Sequence, residues 1–478
     1  MECTITESSG PKATSGLPKQ LERYCPQWAL PYAERVAGSP IAVRLIRGTL
    51  WSILGTAISR GMMLLASILV ARFLGKFGYG EFGMIRSTVG MLGILAGFGM
   101  GLTATKFLAE LKESDPVRAG RIVGLTWNCA LISSGLICLI MVIFAGPIAE
   151  HTLNNKSLAA ALRVGTLLLL IGALNGVQTG ALAGFEAFKG IAKVNFIVGI
   201  ASFPILTAGA YLGGVMGALI GLAINLALHW FLNHLLLKKE FAKHNITPVY
   251  SGWREERNVL WKYSVPAVVS GMMVAPILWL GKSVLANQPE GYGELGVFTL
   301  AETWRTLIIV GCGMIGRASF PVMAQLYGEG KHSAFKKALF AQLIINATIV
   351  CSFTMVVILS AHWIEKAYGD DFKNSATVII IVLLSAIPMQ LTAVCGFVNR
   401  CVGNIWWGVL LNSIWGTSYI MSVFLLVHKG AIGLAWATLI AYAIHLLTTS
   451  IYVVWVFRTS PKLKALPDQK HRPNCQQA

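Results

Sequence analysis

The sequence predicts an all-α polytopic membrane protein: twelve transmembrane helices arranged as two parallel six-helix repeats around a central cavity. Three observations carry this. Of 478 residues, 55% are hydrophobic and only 13% are charged, against roughly a quarter charged in a soluble domain; the mean hydropathy is +0.64. Apolar runs of about 20 residues, each long enough to cross a bilayer as a helix, recur along the whole chain. Short segments also recur in order, at one nearly constant offset.

The runs define the spans. Lipid offers the backbone no hydrogen-bond partners, so helices are expected, and the alternating pattern of an outer-membrane barrel is absent. The expected spans are 49–72, 80–103, 121–145, 160–184, 192–212 and 214–236 in the first half. Those in the second half are 261–285, 295–318, 338–360, 376–398, 405–427 and 431–456. The apolar block 192–236 is too long for one span, and "YLGGVMG" at 211–217 supplies a Gly-rich turn within it.

The repeat is read from four pairs. "GYGEFG" at 78–83 matches "GYGELG" at 291–296, and "GFGMG" at 97–101 resembles "GCGMIG" at 311–316. "GF" recurs at 184–185 and 396–397. "GVMGALIGLAINLALH" at 214–229 aligns with "GAIGLAWATLIAYAIH" at 430–445, where Gly214, Gly217, Ile224, Ala227 and His229 meet Gly430, Gly433, Ile440, Ala443 and His445. Six spans per unit is even, so both halves enter from the same side, related by an axis along the membrane normal. The "GYGE" motif itself is expected to form a tight external turn with positive φ, its Glu favoured at a helix N-terminus.

Charge sets the orientation. With the N-terminus inside, cytoplasmic segments hold 28 of the 39 Lys and Arg and outer loops hold seven, which is the bias of cytoplasmic loops. The net charge of +18 thus reflects topology and not nucleic-acid binding. The expected organisation is a cytoplasmic tail at 1–45, a first six-helix bundle at 46–237 and a basic cytoplasmic linker at 238–260. A second bundle at 261–457 and a cytoplasmic tail at 458–478 follow. No apolar core bounded by a cleavage site opens the chain, so no cleaved signal peptide is expected. A surface-lying segment is expected around 30–43.

Several chemistries find no residues. Nine Cys lie mostly in apolar runs with no CxxC pair, so neither metal ligation nor disulfides are expected. No nucleotide-binding loop, cofactor motif or His/Asp/Glu cluster is present, and no loop is long enough to house a catalytic domain. The chain is not expected to be an enzyme.

"LVARFLGKFGYGEFGMIRS", the GxxG openings of spans 6 and 12, and twelve spans in two sixes resemble the polysaccharide-exporter branch of the multidrug/oligosaccharidyl-lipid/polysaccharide flippase superfamily, over about residues 45–456. The resemblance implies a flippase in the bacterial inner membrane. It would carry a polyprenyl-pyrophosphate-linked oligosaccharide repeat unit to the outer leaflet by alternating access, for O-antigen or exopolysaccharide synthesis. Implied partners are the lipid-linked oligosaccharide, membrane lipids, and a polysaccharide polymerase with its chain-length machinery.

The charged residues inside spans argue independently. A charge near the bilayer centre costs roughly 2.5–3.5 kcal/mol on insertion scales, so it faces a cavity and has a task. Arg60 lies midway along span 1, Arg86 two turns into span 2, Lys282 one turn from the outer end of span 7, and Arg305 near the middle of span 8. Of 21 Asp and Glu, only Glu302 sits well inside a span, and an i, i+3 pair with Arg305 would neutralise part of the charge. Arg60, Arg86, Lys282 and Arg305 are the candidate anionic-headgroup site, because guanidinium groups suit phosphate oxygens. The plainer reading is snorkelling or structural ion pairing. Glu302, His229 and His445 are candidates for ion coupling or charge pairing, the ion (H+ or Na+) being left open; for the histidines, helix contact is the simpler role. Pro266 and Pro276 are candidate hinges in span 7. Two competing functions remain. A cation-coupled multidrug exporter of the same superfamily would need an intramembrane carboxylate in the first half, which is missing. A polysaccharide polymerase would need a large external loop.

Overall fold

The computed structural model describes residues 40–251, 253–256, 259–260, 264, 272–402 and 405–459. Most of both tails and Pro266 therefore lie outside the described residues, as does most of the expected surface segment at 30–43. Every regular element among the described residues is helical. Eight helical segments are long and apolar enough to cross a membrane, and Ala275–Ala286 is a shorter apolar helix. The protein is thus a polytopic α-helical membrane protein.

Glycines punctuate the longest segments. Pro40–Gly97 is broken at Gly75, whose φ of 64° is readily reached only without a Cβ; this separates α1 (40–74) from α2 (76–97). Phe98 and Gly99 also take positive φ, so α2 breaks before α3 (Met100–Leu111). Next come α4 (Pro116–Pro147), capped by the Asp115 carboxylate on the Arg118 amide at 2.9 Å, and α5 (Leu158–Gly184). Phe188–Lys243 breaks at Gly213 and Gly214, within the expected Gly-rich turn, into α6 (188–212) and α7 (215–243).

The second half starts with α8 (Ala275–Ala286) and α9 (Gly291–Gly328). Pro276 falls in the first turn of α8, where its missing N–H removes no helical bond. Then follow α10 (His332–Leu359), the short α11 (Ala361–Tyr368), α12 (Ala376–Leu384) and α13 (Ala386–Val402). α12 and α13 part at Ser385, because Pro388 cannot donate to the Leu384 carbonyl. Last are α14 (Ile405–Leu426) and α15 (Gly430–Thr459).

The "GYGE" motifs correct the sequence expectation. Both lie inside helices, at the starts of α2 and α9, and none of their glycines has positive φ; that conformation falls just before them, at Gly75 and Glu290. The glycines serve close approach instead. A Cβ on Gly80 would lie 1.8 Å from the Tyr292 carbonyl oxygen, and one on Gly296 would lie 1.9 Å from that of Lys76. The two motifs therefore pack backbone against backbone. Glu294 lies in the first turn of its own helix, as the sequence predicts, and its carboxylate also accepts the Ala431 amide at 2.6 Å, at the N-terminus of α15.

Packing differs at the two ends of the molecule. Around the motif crossing, one continuous hydrophobic core joins both halves, from Tyr79 and Phe82 to Phe298, Tyr368 and Trp415. At the opposite end the described cores separate. One is built from Ala104 to Ile246, the other from Met323 to Val456. Among the described residues the halves share one core at the motif crossing, and at the other end the Thr103 and Ser264 hydroxyls meet at 2.8 Å.

Candidate functional site

A cavity of about 220 Å³ lies between the halves, next to the motif crossing. Its walls follow helical periodicity. Arg60, Met63, Leu64 and Ser67 line it from α1; Phe82, Gly83, Arg86 and Ser87 from α2; Thr299, Glu302, Thr303, Thr306 and Leu307 from α9. Each set recurs at three- and four-residue steps, which puts it on one face of its helix. Lys282 of α8 completes the charged lining, with Leu206 and Leu222 as the apolar wall from α6 and α7.

Four of the seven charged or histidine residues singled out in the sequence meet here: Arg60, Arg86, Lys282 and Glu302. Lys282 Nζ lies 2.6 Å from Glu302 Oε2, and Arg305 Nη2 lies 3.1 Å from Glu302 Oε1. Each carboxylate oxygen thus holds one cation. Arg86 sits at the rim with its guanidinium carbon 5.5 Å from the Phe82 ring centroid, a cation–π distance.

Arg305 does not line the cavity. It is 4% exposed and lies behind Glu302, where its Nη1 donates to Ser385 Oγ at 3.1 Å. That hydroxyl donates to the Val382 carbonyl at 2.6 Å. Arg305 therefore ties α9 to the α12–α13 break. His229 and His445 lie away from the cavity lining and are half-buried; the His445 ring is 6.1 Å from that of Trp415. Trp279 donates to Thr88 Oγ1 at 2.8 Å, bridging the halves beside the cavity.

The hydroxyls of Ser67, Ser87, Thr299, Thr303 and Thr306 were not singled out in the sequence. Their signal was the polar stripe at helical spacing through otherwise apolar spans. Tyr79 was also missed. Its hydroxyl lies 2.6 Å from Ser67 Oγ and 3.5 Å from Thr303 Oγ1, closing the cavity at the motif crossing.

Chemically, the cavity offers two arginines and a band of hydroxyls beside a Lys282–Glu302 pair. It suits an anion with several oxygen acceptors. Among the described residues no cluster of His, Cys, Asp and Glu could hold a metal ion.

These features define a polytopic helical membrane protein with a cationic cavity among its helices. The chain belongs to the polysaccharide biosynthesis protein family, whose profile matches residues 45–327. It is 22% identical over 394 residues to the EPS I polysaccharide export inner membrane protein EpsE of Ralstonia solanacearum, covering 80% of this chain and 88% of that one. It is 29% identical over 176 residues to the lipid III flippase of Escherichia coli K12, covering 36% and 42%. Its fold resembles an inward-facing multidrug-resistance MATE family transporter of the MOP superfamily, with a TM-score of 0.65 at 16% identity over 86% of this chain and 99% of that chain. It equally resembles the lipid II flippase MurJ in an inward closed conformation, with a TM-score of 0.65 at 18% identity over 85% and 87%.

Proposed function

We propose that this protein is a flippase of the inner membrane that moves a lipid-linked oligosaccharide repeat unit from the cytoplasmic to the outer leaflet for polysaccharide synthesis. The carrying observation is the cavity where Arg60, Arg86 and Lys282 converge between the bundles. A polyprenyl pyrophosphate headgroup presents the oxygens those cations bind. The names of the polysaccharide-export and lipid III flippase relatives agree with this reading. The MATE likeness leaves open the multidrug-exporter alternative, but a lining richer in cations than in carboxylates is the wrong polarity for cationic drugs.

The architecture that serves this function is twelve spans in two parallel six-helix repeats. Helical segments of 54–56 residues, Phe188–Lys243 and Trp406–Thr459, would each run about 80 Å unbroken, against a hydrocarbon core of about 30 Å. Each is therefore two spans joined at its break. Gly214 and Gly430, paired by the repeat, have φ/ψ of 57°/−139° and 64°/−141°. Their partners Gly217 and Gly433 each approach a carbonyl oxygen of the preceding helix, those of Gly209 and Leu426. The bundles are assigned to 46–237 and 261–457, with both tails and the 238–260 linker in the cytoplasm. The motif crossing then faces outward, above the cationic cavity.

Two results test this. Deletion of the gene is expected to leave single lipid-linked repeat units on the inner leaflet of the membrane. Their appearance on the outer leaflet would indicate a polymerase defect and overturn the reading. Cysteines placed at Ser8 and Gln476 are expected to resist impermeant maleimide in intact cells and to react after lysis. External labelling of either would reverse the topology.

A further inference from the structure

A second cavity, of about 310 Å³, lies between α1 and α6. Gly55, Ile58, Ala192, Phe196 and Ile197 form its apolar walls, and Lys189 and Lys193 stand at its edge. It is separate from the cationic cavity. Ile58 and Arg60 are two residues apart on one helix, about 200° around its axis, so the groove opens on the opposite side of α1. Phe196 and Ile197 are 41% and 47% exposed, which places this face toward lipid. The groove persists because α1 and α6 cross closely just beside it. A Cβ on Gly55 would lie 2.8 Å from the Ala192 carbonyl oxygen, and one on Gly199 would lie 2.4 Å from Ser59 Cα.

Its chemistry is asymmetric. The walls are apolar, and its volume reaches the lower end of small-molecule sites, about 300 Å³. Among the described residues the lining's charged side chains are two lysines one turn apart at the start of α6, which contribute their hydrocarbon stems to the wall, and the helix dipole adds positive potential there. Neither lysine makes an ion pair among the described residues. The nearest acidic residue in sequence, Glu186, is held by Lys112 at 2.8 Å.

We propose that this groove is a binding site for an anionic phospholipid of the bilayer, one acyl chain lying between α1 and α6 and the phosphate between Lys189 and Lys193. The site is distinct from the cargo cavity, and its test uses no lipid-linked sugar, so its failure would leave the flippase reading untouched. A bound lipid would brace the α1–α6 crossing, and α1 carries Arg60.

Purified full-length protein is exchanged into mixed micelles containing phosphatidylglycerol or phosphatidylcholine with the same acyl chains. Retained lipid is read by native mass spectrometry. Phosphatidylglycerol is expected to be held preferentially. Lys189→Gln with Lys193→Gln should weaken its retention about 30-fold, roughly fivefold per lysine, and leave phosphatidylcholine unchanged. Ile58→Trp, which fills the groove from its lipid-facing wall, should displace phosphatidylglycerol with both lysines present. Equal retention of the two lipids, or phosphatidylglycerol retention unchanged in either variant, would overturn the proposal. Elution of every variant at the wild-type position in size exclusion establishes that it is folded.

Discussion

Arg60→Ala combined with Arg86→Ala is expected to reduce polymer export at least a hundredfold at unchanged membrane abundance. Both residues line the cavity, one on each of the first two spans. A guanidinium does not lose its proton at physiological pH, so the site stays cationic. A hydrogen bond to a charged group contributes about 1.5–3 kcal/mol, and two lost arginine contacts exceed a factor of a hundred. Arg→Lys at both positions should restore only part of the activity, because an ammonium lacks the two-pronged donor geometry. Arg305→Ala should fail differently. Its guanidinium is buried between Glu302 and Ser385, and removing one partner of a buried pair costs about 3–5 kcal/mol, so its membrane abundance should fall along with export. Glu302→Gln should free Lys282 and strengthen headgroup binding, slowing release. The measurement is complementation of a deletion strain with protein levels matched by blot. Full export in the Arg60/Arg86 double variant would remove the cationic-cavity mechanism.

The contrast between Arg60 and Arg305 marks what the sequence can carry. Charges inside apolar runs are conspicuous, so Arg60, Arg86, Lys282 and Glu302 were legible as residues with a common task. Their convergence in one cavity also follows from the repeat, which pairs the first two helices of each half. Which way Arg305 faces was not legible. It lies about 60° around the helix from Glu302, and only the packing of α9 against the α12–α13 break decides that one faces the cavity and the other Ser385. The hydroxyl stripe was hidden for another reason. Serine and threonine are ordinary in membrane helices because they can bond their own backbone, as Thr303 does to Thr299 and Thr306 to Glu302. The glycines of "GYGE" were misassigned to a turn because turns and close helix crossings ask the same of a residue, the absence of a Cβ. Their partner lies 213 positions away, and a local reading cannot see it.

That crossing should behave as the outer gate. Gly80→Val and Gly296→Val are each expected to abolish export while the protein still inserts. In the present state a Cβ at either position would sit within 2 Å of a backbone carbonyl oxygen, well inside the contact distance of about 3.5 Å. The obstacle is main chain on both sides, so no rotamer change relieves it, and α2 and α9 must part. Parting also breaks the contacts that depend on their closeness: Tyr79 with Thr303, and the tight fit of Gly83 against Thr299. The cationic cavity would then stay open toward the outside, unable to load from the cytoplasm. Each bundle keeps its own helix packing, which is why insertion should survive. A cysteine at Thr303, in a background without the native cysteines, reports the gate directly. In intact cells its reaction with an impermeant maleimide should be at least tenfold faster in either valine variant than with both glycines present, and Gly80→Ala should fall between. Slow labelling together with normal export in Gly80→Val would mean that the two motifs do not need to meet for transport, and that this crossing is only one resting arrangement of the halves.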